Sequence, residues 1–156
     1  MNAAAAGTKI PRSVLVVIHT PALDILLLER AARPGYWQSV TGSLDAPDEP
    51  LEQAALREVR EETGIRADPG ALEPWPVVNT FEIYPQWRQR FAPGTTHNVE
   101  HLFSLQVAGP APVVLDPGEH TAWRWLPWRA AAEACFSWTN RDAIRMLAAR
   151  REAAAP

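Results

Sequence analysis

The chain has 156 residues, a length typical of one domain with a single substantial core. Hydrophobic residues make up 47% and charged residues 21%, and a net charge of -3 excludes the strongly basic character of most nucleic-acid-binding proteins. The single cysteine, Cys135, excludes an internal disulfide bond, and no apolar stretch approaches the roughly 18 residues of a membrane span. We therefore expect a cytoplasmic protein that binds neither nucleic acid nor membranes.

Turn residues divide the first part of the chain into short strands and one helix. A β-branched run at residues 14–18 predicts a buried strand, and residues 25–30 are its expected hairpin partner. A third strand is expected over residues 36–40. A helix is expected over residues 50–63, because proline suits its first position and Gly64 suits the left-handed residue just past its end.

The remainder of the chain carries three more strand patterns and a final amphipathic helix. These elements are expected over residues 75–83, 100–107, 121–126 and 140–150. Residues 84–98 form a long segment with two prolines and a glycine, which is typical of a functional loop, and residues 108–118 form a proline-rich connector.

The order β-β-β-α-β-β-β-α predicts an α/β protein of the α+β type, with a mixed sheet sandwiched between helices. Residues 10–150 are expected to form the single domain. The alanine-rich residues 1–9 and the last residues, 151–156, are predicted to be mobile tails.

Carboxylates are concentrated on the helix expected over residues 50–63. Glu58 and Glu62 fall roughly 40° apart around its axis, with Glu61 alongside them, on the side that also carries apolar residues. Part-buried anions without partners cost several kcal/mol, and a divalent cation removes this penalty. Hard oxygen ligands favour Mg²⁺, with Mn²⁺ as an alternative, while Arg57 can hold the carboxylates in place. The competing interpretation is a solvated helix face with salt bridges.

A longer pattern around this helix resembles the Nudix box. Its members are Gly42, Glu49, Arg57-Glu58-Val59, Glu61-Glu62 and Gly64-Ile65. Six residues separate Gly42 from Glu49 where the family has five, so Asp48 is an alternative to Glu49. The resemblance implies the Nudix fold and cleavage of an X-P-O-P linkage by water. It also implies metal binding by Glu58 and Glu62, with Glu61 as a metal ligand or the group that activates water.

Several further segments, in one order, resemble the bacterial dihydroneopterin triphosphate pyrophosphatases of folate biosynthesis. These segments are Tyr36 to Ser43, Arg90 to Gly94, Asn98 to Glu100, Glu119-His120 and Ser137 to Arg141. The resemblance implies conversion of 7,8-dihydroneopterin 3′-triphosphate to the monophosphate and pyrophosphate, with Glu119 as a third metal ligand. It further implies substrate contacts by Lys9, Arg30, Thr41, Phe81, Glu82, Ile83, Tyr84 and Ser137.

The chemistry of the side chains suits such a ligand. Arginines at positions 30, 88 and 90 could bind a triphosphate with bidentate geometry. For Arg88 and Arg90 the alternative is a solvated charge on the loop. Phe81, Tyr84 or Trp37 could stack on the pterin, and Glu82 could accept from its N–H groups. Core packing is the alternative for Phe81 and Ile83, which alternate with their neighbours as in an ordinary strand.

Two other functions remain open at this stage. A pyrophosphohydrolase acting more broadly on (deoxy)nucleoside triphosphates would use the same metal-binding helix and differ in its base pocket. A non-catalytic Nudix-fold binding module is the third possibility, although such modules usually have eroded boxes, whereas Arg57, Glu58, Glu61 and Glu62 are all present here.

Overall fold

Seven strands and three α-helices, with two short 3₁₀ segments, make up most of residues 8–155, the part of the chain described by the computed structural model. The strands are β1 (Arg12–His19), β2 (Asp24–Arg30), β3 (Trp37–Gln38), β4 (Val40–Ser43), β5 (Leu72–Glu82), β6 (His97–Gln106) and β7 (His120–Pro127). The helices are α1 (Leu51–Thr63), α2 (Trp128–Ala134) and α3 (Trp138–Ala154), and the 3₁₀ segments are Pro69–Ala71 and Pro85–Arg90.

The strands form one sheet in the order β3-β2-β1-β6-β5, with β4 paired to β1 and β7 paired to β2. Among the pairings of these seven strands with one another, only that of β1 with β6 is parallel, and it runs from Arg12 opposite Val99 to His19 opposite Gln106. The sheet is therefore mixed and carries helices on its faces, which confirms the fold class predicted from the sequence.

Alternation along β1 places two apolar clusters on opposite faces of the sheet. Val14 and Val16 belong to the cluster that contains Val59 of α1. Leu15 and Val17 belong to the cluster that contains Ile144 of α3. Because β1 is buried on both faces, its sequence is a continuous apolar run rather than an alternating one.

The strand expected over residues 36–40 is divided into β3 and β4 around Ser39. The backbone N–H of Ser39 donates to Oδ1 of Asn140 at 2.8 Å, so α3 takes the place of a neighbouring strand at this position. The helix α2 was not predicted. It follows Pro127 and is rich in alanine, the residue with the highest helix propensity, but its seven residues are too few to show a clear periodicity.

The described residues include part of each predicted tail, and the mobility of both tails stays a prediction. The backbone N–H of Lys9 donates to the carbonyl of Arg90 at 2.7 Å, and Lys9 pairs with Phe91. Residues 1–7, the rest of that expected tail, lie outside the described residues. At the other end, α3 continues to Ala154, so residues 151–154 are helical. No helix within residues 8–155 is long and apolar enough to cross a membrane.

Candidate active site

Arg57 connects the acidic residues along α1. Its Nε and Nη2 atoms donate to the two carboxylate oxygens of Glu49, each at 3.0 Å, in a bidentate pair. Its Nη1 atom donates to Glu58 at 2.8 Å and to Glu61 at 3.4 Å. The Arg57 pairing lowers the pKa of Glu49. The longer loop before Glu49 thus leaves this contact intact, while Asp48, the alternative, is exposed.

Of the three box glutamates on α1, Glu58 and Glu62 are buried and Glu61 is exposed. Glu62 is 1% exposed and accepts a hydrogen bond from the backbone N–H of Thr41 at 3.2 Å. Burial, followed by repulsion from Glu58 and Glu119, raises the pKa of Glu62 well above its ordinary range. Burial also raises the pKa of Glu58 to about 7, against the opposing effect of Arg57. The Glu61 side chain is 57% exposed, so it is the one of the three that bulk water reaches freely.

Gly42 is the point of closest approach between β4 and α1. A Cβ atom at this position would lie 2.1 Å from Cδ of Glu58 and 2.2 Å from its Oε1 atom. Any larger residue at position 42 must therefore displace the Glu58 carboxylate. The glycine of the box is required here for space rather than for backbone conformation, since its φ angle is not left-handed.

We predict that Gly42→Ala lowers kcat by about 10-fold, because it moves the Glu58 carboxylate out of place. The clash involves the end of a flexible side chain, so the melting temperature should change by only about 3 °C or less. Gly70→Ala is the matched control, since a Cβ there meets nothing within 4 Å. Equal activity of the two variants would show that the position of Glu58 does not limit turnover.

A chain of polar contacts runs from Arg30 to Glu62. Nη1 of Arg30 donates to Oε1 of Gln38 at 3.2 Å, which leaves the Gln38 amide nitrogen 3.2 Å from Nε2 of His120. Because the amide donates to Nε2, the neutral imidazole carries its proton on Nδ1, 3.7 Å from Oε1 of Glu62. Burial first, and then Arg30, lowers the pKa of His120 to about 4, so the ring is neutral near pH 7.

Three described residues bring metal-ligand atoms within 4.8 Å of one another: Glu62, Glu119 and His120. In the tautomer that Gln38 favours, His120 presents an N–H toward Glu62, so the two carboxylates are the candidate metal ligands of this group. Among the described ion pairs, Glu62 is matched with His120 and with no lysine or arginine. Because His120 is neutral, the desolvated Glu62 carboxylate has no cationic partner in these pairs. A divalent cation would supply that missing charge, so the residues fit the group that the box implies.

All eight residues expected to contact substrate line one cleft of about 310 Å³. They are Lys9, Arg30, Thr41, Phe81, Glu82, Ile83, Tyr84 and Ser137. Glu62 and Glu119 line the same cleft, whereas Arg57, Glu58 and Glu61 lie outside its lining. The structure therefore joins the predicted ligand-contacting positions to two of the three predicted metal-binding positions.

Cations gather near the carboxylates in this cleft. Lys9, Arg30 and Arg90 all line it. Burial first, followed by the charges of Arg90 and Arg30, lowers the pKa of the Lys9 ammonium. Arg88, the other expected phosphate-binding residue, points elsewhere: it pairs with Glu82 and donates to the Ile83 carbonyl at 3.0 Å. An anion in the cleft would thus meet three mutually repelling cations, and Arg88 is not among them.

An aromatic wall, formed by Tyr36, Tyr84, Trp87 and Phe136, stands beside these cations. The rings of Tyr36 and Phe136 stack with centroids 4.7 Å apart, and Trp87 meets Phe136 edge-on at 5.9 Å. Arg30 lies over the Trp87 ring, 4.7 Å from its centroid. Tyr84, Trp87 and Phe136 line the cleft, as does the half-buried Phe81.

Sequence reasoning missed Trp87 and Phe136 and placed Trp37 among the stacking candidates. Trp37 is not part of the cleft lining; its ring packs in the α3-side core and beneath Arg124, at 4.6 Å. Trp87 lies on a 3₁₀ turn and Phe136 lies between two helices, so neither sits in a periodic pattern. Ile83 is buried and Phe81 is half-buried, so both the core and the cleft interpretations hold for this segment.

Comparison with known proteins adds independent findings. A family model described as the NUDIX domain matches residues 9–147. The chain is 42% identical over 142 residues to an Escherichia coli dihydroneopterin triphosphate diphosphatase, covering 89% of this chain and 93% of that protein. A protein of the same name from Haemophilus influenzae is 37% identical over 137 residues, covering 86% of this chain and 85% of that one.

A solved structure agrees with the sequence relatives. The structure of the E. coli dihydroneopterin triphosphate pyrophosphohydrolase superposes with a TM-score of 0.83 at 40% identity. The match covers 89% of this chain and 95% of that one. The likeness therefore extends over the fold, the acidic helix and the cleft, and is not confined to one motif.

Proposed function

This chain belongs to the Nudix hydrolase family, and on that premise we propose that it hydrolyses 7,8-dihydroneopterin 3′-triphosphate to dihydroneopterin monophosphate and pyrophosphate. One observation carries the proposal from the family to the substrate: a single cleft joins buried carboxylates, three cations and an aromatic wall. A ligand with a polyanionic end and a flat heterocyclic end matches these features: the cations and the metal-binding carboxylates suit the polyanion, and the aromatic wall suits the heterocycle. The substrate for which the two relatives are named has both of these ends.

The phosphate end of the cleft suits pyrophosphate release. Mg²⁺, or Mn²⁺ in its place, would be held by Glu58, Glu62 and Glu119, and when bound it neutralises charge on the phosphoryl oxygens. Lys9, Arg30 and Arg90 hold the remaining phosphate charge. Water attacks phosphorus, the P–O bond between the α- and β-phosphates breaks, and pyrophosphate leaves. Glu61, exposed and bonded to Arg57, is the carboxylate we assign to accept the proton of the water.

The heterocycle end of the cleft suits a planar ring. Tyr84, Trp87 and Phe136 offer aromatic surface, and Ser137 offers a hydroxyl at the start of α3. A non-catalytic binding module would not need Arg57 to organise three glutamates beside a buried fourth, Glu62. The completeness of that arrangement favours an enzyme.

The reaction type is tested by identifying products with mass spectrometry after incubation of the protein with dihydroneopterin triphosphate and Mg²⁺. We expect monophosphate and pyrophosphate in equal amounts, and no turnover when EDTA replaces Mg²⁺. Release of orthophosphate with a diphosphate product would contradict the proposed cleavage position. Binding of the substrate without any product would favour the non-catalytic alternative.

A further inference from the structure

A buried carboxylate, Glu100, lies in the floor of the cleft, away from the acidic helix. It sits on β6 two residues after Asn98, so both side chains project from the same face of the sheet. Glu100 is 3% exposed and Asn98 is 5% exposed, and both contribute to the cleft lining. The next residue on this face, Leu102, belongs to the apolar core. An apolar side chain would therefore suit position 100 equally well, and packing of the strand does not account for an acidic residue there.

The hydrogen-bonding capacity of these two side chains is incompletely used. Thr139 and Asn79 are the polar neighbours that stabilise the Glu100 carboxylate, while its Oε1 atom and the Nδ2 atom of Asn79 make no hydrogen bond of normal geometry. Asn98 donates through Nδ2 to the Ser13 hydroxyl at 2.8 Å, while its Oδ1 atom has no partner. The Asn98 Oδ1 atom is thus a buried acceptor without a donor. Glu100 has neutral neighbours in Thr139 and Asn79, and it takes part in none of the salt bridges among residues 8–155.

A buried carboxylate without a cationic partner is costly, so its presence in a ligand cleft indicates that the ligand brings further donors. Burial raises the pKa of Glu100 to about 7, even though Thr139 and Asn79 act in the opposite direction. A ligand with two adjacent N–H groups would favour the ionised carboxylate and pair with both of its oxygens. The free oxygen of Asn98 offers a further acceptor on the same strand.

We propose that Glu100 is the specificity-determining residue that binds the 2-amino group and the neighbouring ring N–H of the pterin. This inference rests on the proposed function, because it concerns how the same cleft chooses its ring. A pterin presents two donors side by side on that edge, as guanine does. Adenine presents a ring nitrogen acceptor beside its amino group, so it would place a lone pair against the carboxylate.

Glu82, the acceptor expected from sequence, is less suited to this role. Its side chain is 68% exposed and already pairs with Arg88. A hydrogen bond made at such a position competes with water, whereas one made to Glu100 forms in a buried part of the cleft. We therefore expect discrimination between pterin and adenine rings to depend on the buried Glu100 rather than on the exposed Glu82.

The test compares Glu100→Gln with wild type on dihydroneopterin triphosphate and on dATP, with Mg²⁺ present. We expect kcat/KM for the pterin substrate to fall by about 10- to 30-fold, and kcat/KM for dATP to change less than about twofold. Glu73→Gln, an exposed glutamate on β5, is the matched control and should behave as wild type. An equal fall on both substrates, or a fall with Glu82→Gln and not with Glu100→Gln, would overturn the assignment.

A second comparison begins with wild-type protein alone, so its first result does not depend on the variant folding. dITP differs from dGTP by lacking the 2-amino group, so wild type should turn over dGTP with a kcat/KM about 10-fold higher, and Glu100→Gln should reduce that ratio toward one. No preference in wild type would overturn the role of Glu100. A wild type that prefers dATP to the pterin would instead refute the proposed function, so the two failures are distinguishable.

Discussion

Replacing Glu62 with glutamine is expected to lower kcat by about 10³-fold or more in the presence of Mg²⁺. Glutamine keeps the shape of the side chain and can still accept from the Thr41 backbone N–H, but it removes the charge that would bind the metal. The loss should not be restored by raising the Mg²⁺ concentration. Steady-state rates of pyrophosphate release across a Mg²⁺ titration measure both effects.

The same substitution should not destabilise the metal-free protein. Because the pKa of Glu62 is raised in the folded state, the folded protein binds more protons than the unfolded chain, and stability falls as pH rises above the ordinary value of 4.5. Glutamine removes this loss, so the melting temperature of Glu62→Gln without metal should equal or exceed that of wild type at pH 7.

Glu52→Gln serves as the control, since Glu52 is exposed on the same helix. It should retain wild-type kcat. If Glu62→Gln keeps near-normal turnover, Glu62 does not bind the catalytic metal. If it instead unfolds at pH 7 without metal, the buried carboxylate stabilises the fold, which is opposite to the linkage argument.

The second large effect is expected at Arg57, where Arg57→Gln should lower kcat by about 10²-fold. The substitution removes the bidentate pair with Glu49 and the hydrogen bonds to Glu58 and Glu61. Arg57 acts through these carboxylates, so we assign it a positioning role. Without Arg57 the pKa of Glu58 should rise further, because burial raises this pKa and Arg57 is the main group that lowers it.

Arg57→Lys separates charge from geometry. Lysine retains the positive charge but not the planar fork, so its kcat should lie between those of wild type and Arg57→Gln. The Mg²⁺ concentration for half-maximal activity should rise in both variants, and KM for the substrate should change little. A change confined to KM would mean that Arg57 contacts the substrate instead of organising the glutamates.

The acidic helix could be predicted closely because local rules determine it. The helix begins at Leu51, one residue later than expected, and ends at Thr63 as expected. Gly64 follows in the left-handed conformation, and its N–H donates to the Arg60 carbonyl. The apolar face of α1 and the spacing of Glu58 and Glu62 together predicted buried carboxylates. Burial of both confirms that prediction, whereas their binding of a metal stays a prediction.

Apart from Tyr84, the floor and wall of the cleft could not be predicted, because they depend on contacts between residues far apart in sequence. In the sequence, Glu100 is one polar residue within a strand pattern. Its place in a buried polar group depends on Thr139 and Asn79, which α3 and β5 bring beside it. Phe136 joins the wall only because α2 and α3 turn around it. Gln38 and His120 are 82 positions apart, so the chain from Arg30 to Glu62 has no sequence signature.

The most direct test of the account is the ratio of kcat/KM for dihydroneopterin triphosphate to kcat/KM for dATP, measured with wild-type protein and Mg²⁺. The cleft combines three cations, an aromatic wall and a buried carboxylate in its floor, so we predict a ratio above about 10. A ratio below about 0.1 would contradict the account and identify a broader nucleoside triphosphate pyrophosphohydrolase.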